Sequence, residues 1–482
     1  MAFQWLDAGS EERFVAYMER LSQALGHCDR VGPFRSYCTG LLLAGERKSV
    51  EPMAARLRPD RTAAEHQSLL HFVGVSPWDE TALLRAVREA VLPAMTAGGP
   101  VQAWIVDDTG FPKKGRHSVG VARQYCGELG KQDNCQVAVS LSVATAEASL
   151  PIAWRLYLPE PWAGDAARRS AVKVPQEVEF ETNKQQIALA QIRAARDEGV
   201  PAGVVLADAG YGTSRAFRDG ISALGVDYVV GVLSTITVWP PGMTPEVPAR
   251  RGPGRRPKRL RRGGDDAPVV QVRALAESLP DETWQAVQWR EGVAAALISR
   301  FAAVRVRPAQ GDASRSEPRP EHWLLVEWPD SEKAPTKFWL STLPEDTAIE
   351  DLVRQAKQRW LIERDYLELK QELGLGHYEG RGWRGFHHHA ALCIAAYGFL
   401  VAERAAIPPS AVAAGGPVQA PPLPQGHRPR GAAAQTRTPR PDFDRHPPTS
   451  HRPRPRANST QMPMLRPNNQ PPLASETTFV TP

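Results

Sequence analysis

Three acidic positions, far apart along the chain, could do chemistry together. Asp107 and Asp108 close the apolar run VQAWIVDD, Asp208 closes AGVVLAD, and Glu363 lies within RWLIERDYLELK. Taken singly, an acid at a strand end is an ordinary turn or cap residue. Brought together, three carboxylates make an oxygen-only site of the kind hard divalent ions such as magnesium prefer, with phosphate and water completing the shell. Two such ions roughly 4 Å apart can activate an attacking oxygen and stabilise a leaving one in phosphodiester displacement. The reading therefore takes Asp108, Asp208 and Glu363 as candidate catalytic and metal-binding residues, with Asp107 competing with Asp108. Neighbouring strand residues face opposite sides, so only one of that pair can join the others.

The elements must then deliver these residues to one place. No proline or glycine interrupts Arg359–Lys370, and its residues are good helix formers. The spacing predicts a helix from about Thr347 to Leu373. At about 100° per residue, Ile362, Tyr366, Leu369 and Leu373 form an apolar stripe that must face a core. Arg359, Glu363 and Lys370 stack on a neighbouring strip, and Asp365, Glu368 and Glu372 are expected on the solvated side. Upstream, 101–108, 135–148 and 151–159 read as three antiparallel strands, with a Gly- and Lys-rich connection over 109–134. A helix over 183–198, a strand over 202–208, a glycine turn, a helix over 213–224 and a strand over 226–234 follow. This β-β-β-α-β-α-β order, with acids at the ends of the first and fourth strands, is the layout of a ribonuclease H-like α/β fold: a mixed sheet flanked by helices.

Around that core the chain divides by composition. Residues 1–95 read as an N-terminal helical domain. Within it, 49–72 could form two short helices broken at Arg58-Pro59-Asp60, with helix–turn–helix-like spacing, and a further helix starts with Ser76 as N-cap and Pro77 at its first position. Arg47, Lys48, Arg56, Arg58 and Arg61 cluster there, so this region is a possible DNA-binding domain. The catalytic fold occupies 96–234 and resumes over 346–406. Between its parts lies a β-rich insertion, 235–345, holding the basic loop 248–264 and Trp284, Trp289, Trp323, Trp328 and Trp339. Arg255, Arg256, Lys258 and Arg259 in that loop are expected to bind backbone phosphate in a salt-dependent way. Lys113, Lys114, Arg116 and Arg123 could line a DNA path after the first acid. His387, His388 and His389 are adjacent, so a helix splays them and they cannot share one metal; they are expected in solvent, or one against DNA. Residues 407–482 are Pro- and Arg-rich and expected to be disordered.

Composition narrows the classes. The 482 residues exceed one ordinary domain, and 42% apolar content is enough for a real core. No charged-then-apolar leader or bilayer-spanning run is evident, so a membrane role is not expected. Five scattered cysteines without a CxxC pair argue for a reducing compartment and against structural zinc. From residue 410 onward nine arginines face three acids, which accounts for the whole net charge of +6. The body is therefore close to neutral, and local patches must carry any nucleic-acid reading.

The motifs WIVDDTGFPKKG, QYCGELGKQDNCQVAVSL, VLADAGYG and RWLIE…LK…ELGLGHYEGRGWRGFHHHAAL, in this order over most of 30–405, resemble the DDE transposases of bacterial insertion sequences. That family has a ribonuclease H-like catalytic fold interrupted by a β-rich insertion before the glutamate helix, and the 155 positions between Asp208 and Glu363 leave room for one. The resemblance implies two Mg2+ ions, with Mn2+ able to substitute. It implies double-stranded DNA partners (terminal inverted repeats and target DNA), a homodimer in a synaptic complex, and a cytoplasmic, nucleoid-associated place of work. It implies phosphate contacts for Arg359 and Lys370, which match a Tyr-Arg-Glu-Lys signature whose tyrosine position here is Ala356. The family tends to place the first acid directly before a threonine, which favours Asp108 beside Thr109. The activity implied is DNA cleavage and strand transfer. Two other readings are a DNA-binding repressor or scaffold that has lost catalysis, and a nuclease without strand transfer.

Overall fold

A computed structural model describes residues 8–176, 178, 183–248, 258–260, 269–290 and 297–406. Five helices come first: α1 Ala8–Ser22, α2 Val31–Leu42, α3 Val50–Leu57, α4 Thr62–Gly74 and α5 Glu80–Thr96. The pair α3 and α4 breaks where Arg58-Pro59-Asp60 predicts. The start of α5 differs: its N-cap is Asp79, which accepts from the Thr81 amide, because Trp78 is drawn into the core and stacks on Phe72. In the expected basic cluster Arg56 reaches the Arg47 carbonyl at 2.8 Å, so these residues lie together, but two of the cations are already engaged. Lys48 is buried with its Nζ on the Leu41 and Leu43 carbonyls, and Arg47 pairs with Glu379.

Next come β1 Ala103–Pro112, β2 Ala122–Cys126, β3 Lys131–Ala144 and β4 Ser149–Leu156. The strand expected to stop at Asp108 runs on to Pro112, paired throughout with β3. The connection after it holds the β2–β3 hairpin, whose polar alternation hid it from a search for apolar runs. After the short helices α6 Glu160–Ala163 and α7 Ala166–Ala171 come α8 Lys184–Asp197, β5 Val204–Ala207, α9 Ala209–Gly212, α10 Arg215–Ala223 and β6 Tyr228–Val232. Strands β1, β5 and β6 are parallel neighbours, and β3 and β4 continue antiparallel on the other side of β1.

The expected insertion extends this same sheet. It comprises β7 Thr237–Trp239, β8 Val270–Gln271, α11 Val272–Glu277, β9 Gln285–Arg290, β10 Leu297–Pro308, β11 His322–Trp328 and β12 Lys337–Ser341. β12 pairs antiparallel with β6, so the described strands form one mixed sheet ordered β2-β3-β1-β5-β6-β12-β11-β10-β7-β8, with β4 on β3 and β9 on β10. Trp284 and Trp339 are buried, while Trp289, Trp323 and Trp328 are half-buried.

Three helices finish the described chain: α12 Ile349–Gln358, α13 Trp360–Gln371 and α14 Trp383–Ala406. The single long helix expected from Thr347 is divided at Arg359, where the Ile362 amide bonds the Arg359 carbonyl three residues back and the turn tightens. The apolar stripe Ile362, Tyr366, Leu369 and Leu373 is buried as its spacing demands. α14 is by length and composition able to cross a bilayer, but 89% of its most apolar window is buried, against α5, α2, α4 and β4. It joins the N-terminal helices and the sheet into one continuous core.

α14 also overturns the solvated histidines. His387, His388 and His389 are all buried. His387 Nδ1 lies 3.0 Å from the Trp383 carbonyl while its Nε2 accepts from the Leu156 amide, and His389 spans the Tyr37 hydroxyl and the Gly374 carbonyl. They hold elements together because α14 has core on every side. The same helix claims Asp365. Expected in solvent, it is fully buried, accepting from Ser149 Oγ at 2.6 Å and Tyr397 Oη at 2.8 Å, and burial pushes its carboxyl up to about 6. A helical stripe shows which face meets one partner; it does not show a second partner arriving over the opposite face.

Candidate active site

β1 is the point where the sheet changes direction, since chain order runs one way through β3 and the other through β5 and β6. Open α/β sheets form a crevice at the carboxyl ends of strands at such a point. β5 ends at Ala207, level with Val106, while β1 continues for six more residues to Pro112, so the far half of β1 keeps β3 on one side and leaves its other edge open. A cleft of about 970 Å³ lies there, walled by Asp107, Asp108, Asp208, Arg359, Glu363 and Lys370 among others.

Each acid reaches it by a different local device. Asp208 ends β5 and caps α9, its Oδ1 accepting from the Gly210 amide at 2.9 Å and the Tyr211 amide at 3.2 Å. α9 must hug β6 for this: a Cβ at Gly212 would lie 2.0 Å from the Gly231 carbonyl oxygen, so only glycine fits. Glu363 projects from α13, one turn after Arg359, with its side chain 65% exposed to the cleft. Arg359 Nη2 is 3.0 Å from Glu363 Oε1, and Nη1 is 2.8 Å from Asp107 Oδ2.

Asp107 and Asp108 diverge, as strand parity requires. The last β1–β5 pair is Ile105 with Leu206, so two residues further along each strand stand Asp107 and Asp208, on one face. Across β3, Asp107 pairs with Ser140, whose Oγ is 2.7 Å from Tyr366 Oη on α13. Asp107 thus faces the helix that carries Glu363. Asp108 turns toward α8: Lys184 Nζ is 2.6 Å from its Oδ2, and Tyr211 Oη donates to the same oxygen at 3.1 Å.

The electrostatics follow from this crowding. Burial, with Asp108 and Asp208 as like-charged neighbours, pushes the Asp107 carboxyl up to about 7 although Arg359 pulls it down. Burial alone would lower Arg359, but Asp107, Glu363 and Asp208 raise it. An excess of carboxylate oxygens converging in a partly dry cleft is a fit for hard divalent cations, which would relieve the mutual repulsion.

The cations divide. Arg359 and Lys370 stand in the cleft, with Lys370 Nζ on the Gly110 carbonyl at 2.7 Å and on Glu128 at 2.6 Å. Lys113 is turned to the Tyr378 carbonyl and Lys114 is exposed, and neither lines the cleft. Lys258 and Arg259 are exposed and also stand apart from its walls, while Arg255, Arg256 and the tail 407–482 lie outside the described residues. A second cavity of about 570 Å³ shares Asp208, Arg359 and Glu363 with the cleft and is walled by Trp289, Trp339 and Trp360. Sequence reasoning missed Lys184, Tyr211 and Glu128, whose contacts lie 76, 103 and 242 positions away.

A mixed sheet with acids at its switch point, and a helix supplying one more acid with two cations, is an arrangement able to hold divalent ions of the kind that serve phosphodiester displacement. The chain belongs to the DDE superfamily endonucleases, whose family model matches residues 20–296, a span that includes Asp107, Asp108 and Asp208 and ends before Glu363. It is 33% identical over 171 residues to a "Probable transposase for insertion sequence element IS701" of Microchaete diplosiphon, covering 35% of this chain and 41% of that protein. The chain thus spans less than half the length of that relative. A solved structure, the piggyBac transposase synaptic complex with hairpin DNA, aligns with 78% of this chain and 66% of its own, at 10% identity and a TM-score of 0.40.

Proposed function

We propose that the protein is a metal-dependent transposase of a bacterial insertion sequence, acting as a homodimer that pairs two inverted-repeat ends. The observation that carries this reading is the convergence of Asp208, Glu363 and the Asp107–Asp108 pair on one cleft with Arg359 and Lys370. The strand order around β1 supports the ribonuclease H-like description, and the transposase relative supports the biological setting.

Asp208, Glu363 and one acid of the Asp107–Asp108 pair would hold two Mg2+ ions, or Mn2+ in their place. Bound there, such ions make an attacking oxygen more nucleophilic and stabilise the leaving one. The acids fix the ligand positions, and Arg359 sets Asp107 and Glu363 relative to each other. Lys370 would exchange its contact with Glu128 for a phosphate oxygen. In the first step water attacks phosphorus and the P–O3′ bond breaks, leaving a free 3′-OH and a 5′-phosphate. In the second that 3′ oxygen attacks a target phosphorus and displaces a target 3′ oxygen, so one site serves both. A base displaced from the duplex would find aromatic walls in the Trp289–Trp339 cavity.

The test is incubation of purified protein with Mg2+ and a labelled duplex carrying the inverted repeats that flank the reading frame. Release of a 3′-OH end and its joining to a second duplex is the expected result. Cleavage without joining would reduce the reading to a nuclease, and repeat binding without cleavage to a repressor or scaffold.

A further inference from the structure

Lys184 and Asp108 form a contact that the reaction described above does not use. Lys184 is the first residue of α8, held in place by the Asn183 cap, which accepts from the Gln186 amide at 3.0 Å, and by Gln185 Nε2 on the Gly210 carbonyl at 2.7 Å. Its Nζ lies 2.6 Å from Asp108 Oδ2, and the same oxygen takes the Tyr211 hydroxyl proton at 3.1 Å. The lysine side chain is 35% exposed and lines the cleft with the other acids. Asp108 looks away from α13, whereas Asp107 shares a face with Asp208 and is joined to Glu363 through Arg359.

Resting on the metal-dependent reading, we infer that Lys184 is a further phosphate-contacting residue and that Asp108 is its positioning residue, with Asp107 as the first metal-binding acid. Arg359, at the junction of α12 and α13, and Lys370, on α13, stand on one bank of the cleft; Lys184 stands on α8, on the other. Among the described residues that line the cleft, Arg359, Lys370 and Lys184 are its Arg and Lys side chains, so without Lys184 these cations would all stand on the α13 side. Asp108 and Tyr211 hold the lysine at the lip, and an arriving phosphate oxygen competes with Asp108 for Nζ. A lysine serves here as a mobile point charge that can turn from one oxygen to the other.

The experiment uses the full chain and two readouts that need no turnover. Mn2+ binding is titrated by electron paramagnetic resonance without DNA. Asp107→Asn should weaken it at least tenfold, and Asp108→Asn should leave it within twofold. Binding of a fluorescein-labelled 30-base-pair duplex in EDTA is then followed by anisotropy against salt concentration. Lys184→Gln should lower the slope of log affinity on log salt by about one. Lys184→Arg should restore it, and Tyr211→Phe, which removes only the hydroxyl, should weaken binding mildly without changing Mn2+ affinity. If Asp108→Asn loses Mn2+ while Asp107→Asn keeps it, or if Lys184→Gln leaves the slope untouched, the inference is overturned. Failure of the unaltered protein to bind Mn2+ at all would instead sink the metal-dependent reading on which it rests.

Discussion

Arg359 Nη1 lies 2.8 Å from Asp107 Oδ2, and through its other amino group the same guanidinium reaches Glu363, 256 positions after Asp107 in the chain. One fixed cation therefore ties the acid of the sheet to the acid of the helix. It occupies the place where α12 ends and α13 begins, so the tightened turn at Arg359 and the geometry of the acids are one feature.

Removing that cation leaves the half-buried Asp107 beside like charges. Arg359→Met should cost about 2 kcal/mol, the range of a lost hydrogen bond to a charged group. Urea unfolding measures it. Added Mn2+ should raise the stability of the variant more than that of the unaltered protein; equal gains would mean that Arg359 does not compensate these acids.

Asp208→Asn and Glu363→Gln should each lower Mg2+-dependent cleavage at least a thousandfold while repeat binding, measured by gel shift, stays within about threefold. Those losses correspond to roughly 4 kcal/mol of transition-state stabilisation. A variant that still cuts would remove its residue from the site.

His387 gives the fold a pH dependence. Burial pulls its pKa down to about 4, and both nitrogens are satisfied in the neutral ring, one donating and one accepting. In the unfolded chain it titrates near about 6.5. Its stabilising contribution is therefore present above about pH 6.5 and is lost as the pH falls towards 4, by roughly 3 kcal/mol in all. Urea midpoints at pH 7.5 and 4.5 should fall further for the unaltered protein than for His387→Leu, which starts less stable. Parallel losses would mean that this ring does not titrate across the transition.

Asp365 staples α13 to β4 and α14 through Ser149 and Tyr397. Asp365→Ala strands two buried hydroxyls and should cost about 2 kcal/mol, seen as a lower melting temperature. Asp365→Asn keeps an acceptor and should cost less. Were the alanine variant to match the asparagine variant, the hydroxyls would have found other partners.

Local pattern determined a good deal here. The run ending in Asp107 and Asp108, the run ending in Asp208 and the stripe behind Glu363 each disclosed their element, because strand and helix periodicity are properties of a few neighbouring residues. The stacking of Arg359 on Glu363 follows from the same arithmetic. Whatever depended on a second partner stayed hidden. Asp365 and the three histidines read as solvated because no short-range pattern announces α14 closing over Asp365, or β4 and the N-terminal helices closing over α14. The inference that Asp107 rather than Asp108 binds metal draws on the register of β1 on β5 and on the side from which α13 arrives. Lys184 acquires its meaning only from an acid 76 positions earlier. Which face a strand residue shows is set by the chain alone; what waits on that face is set by tertiary packing, and in this protein that packing assembles the site.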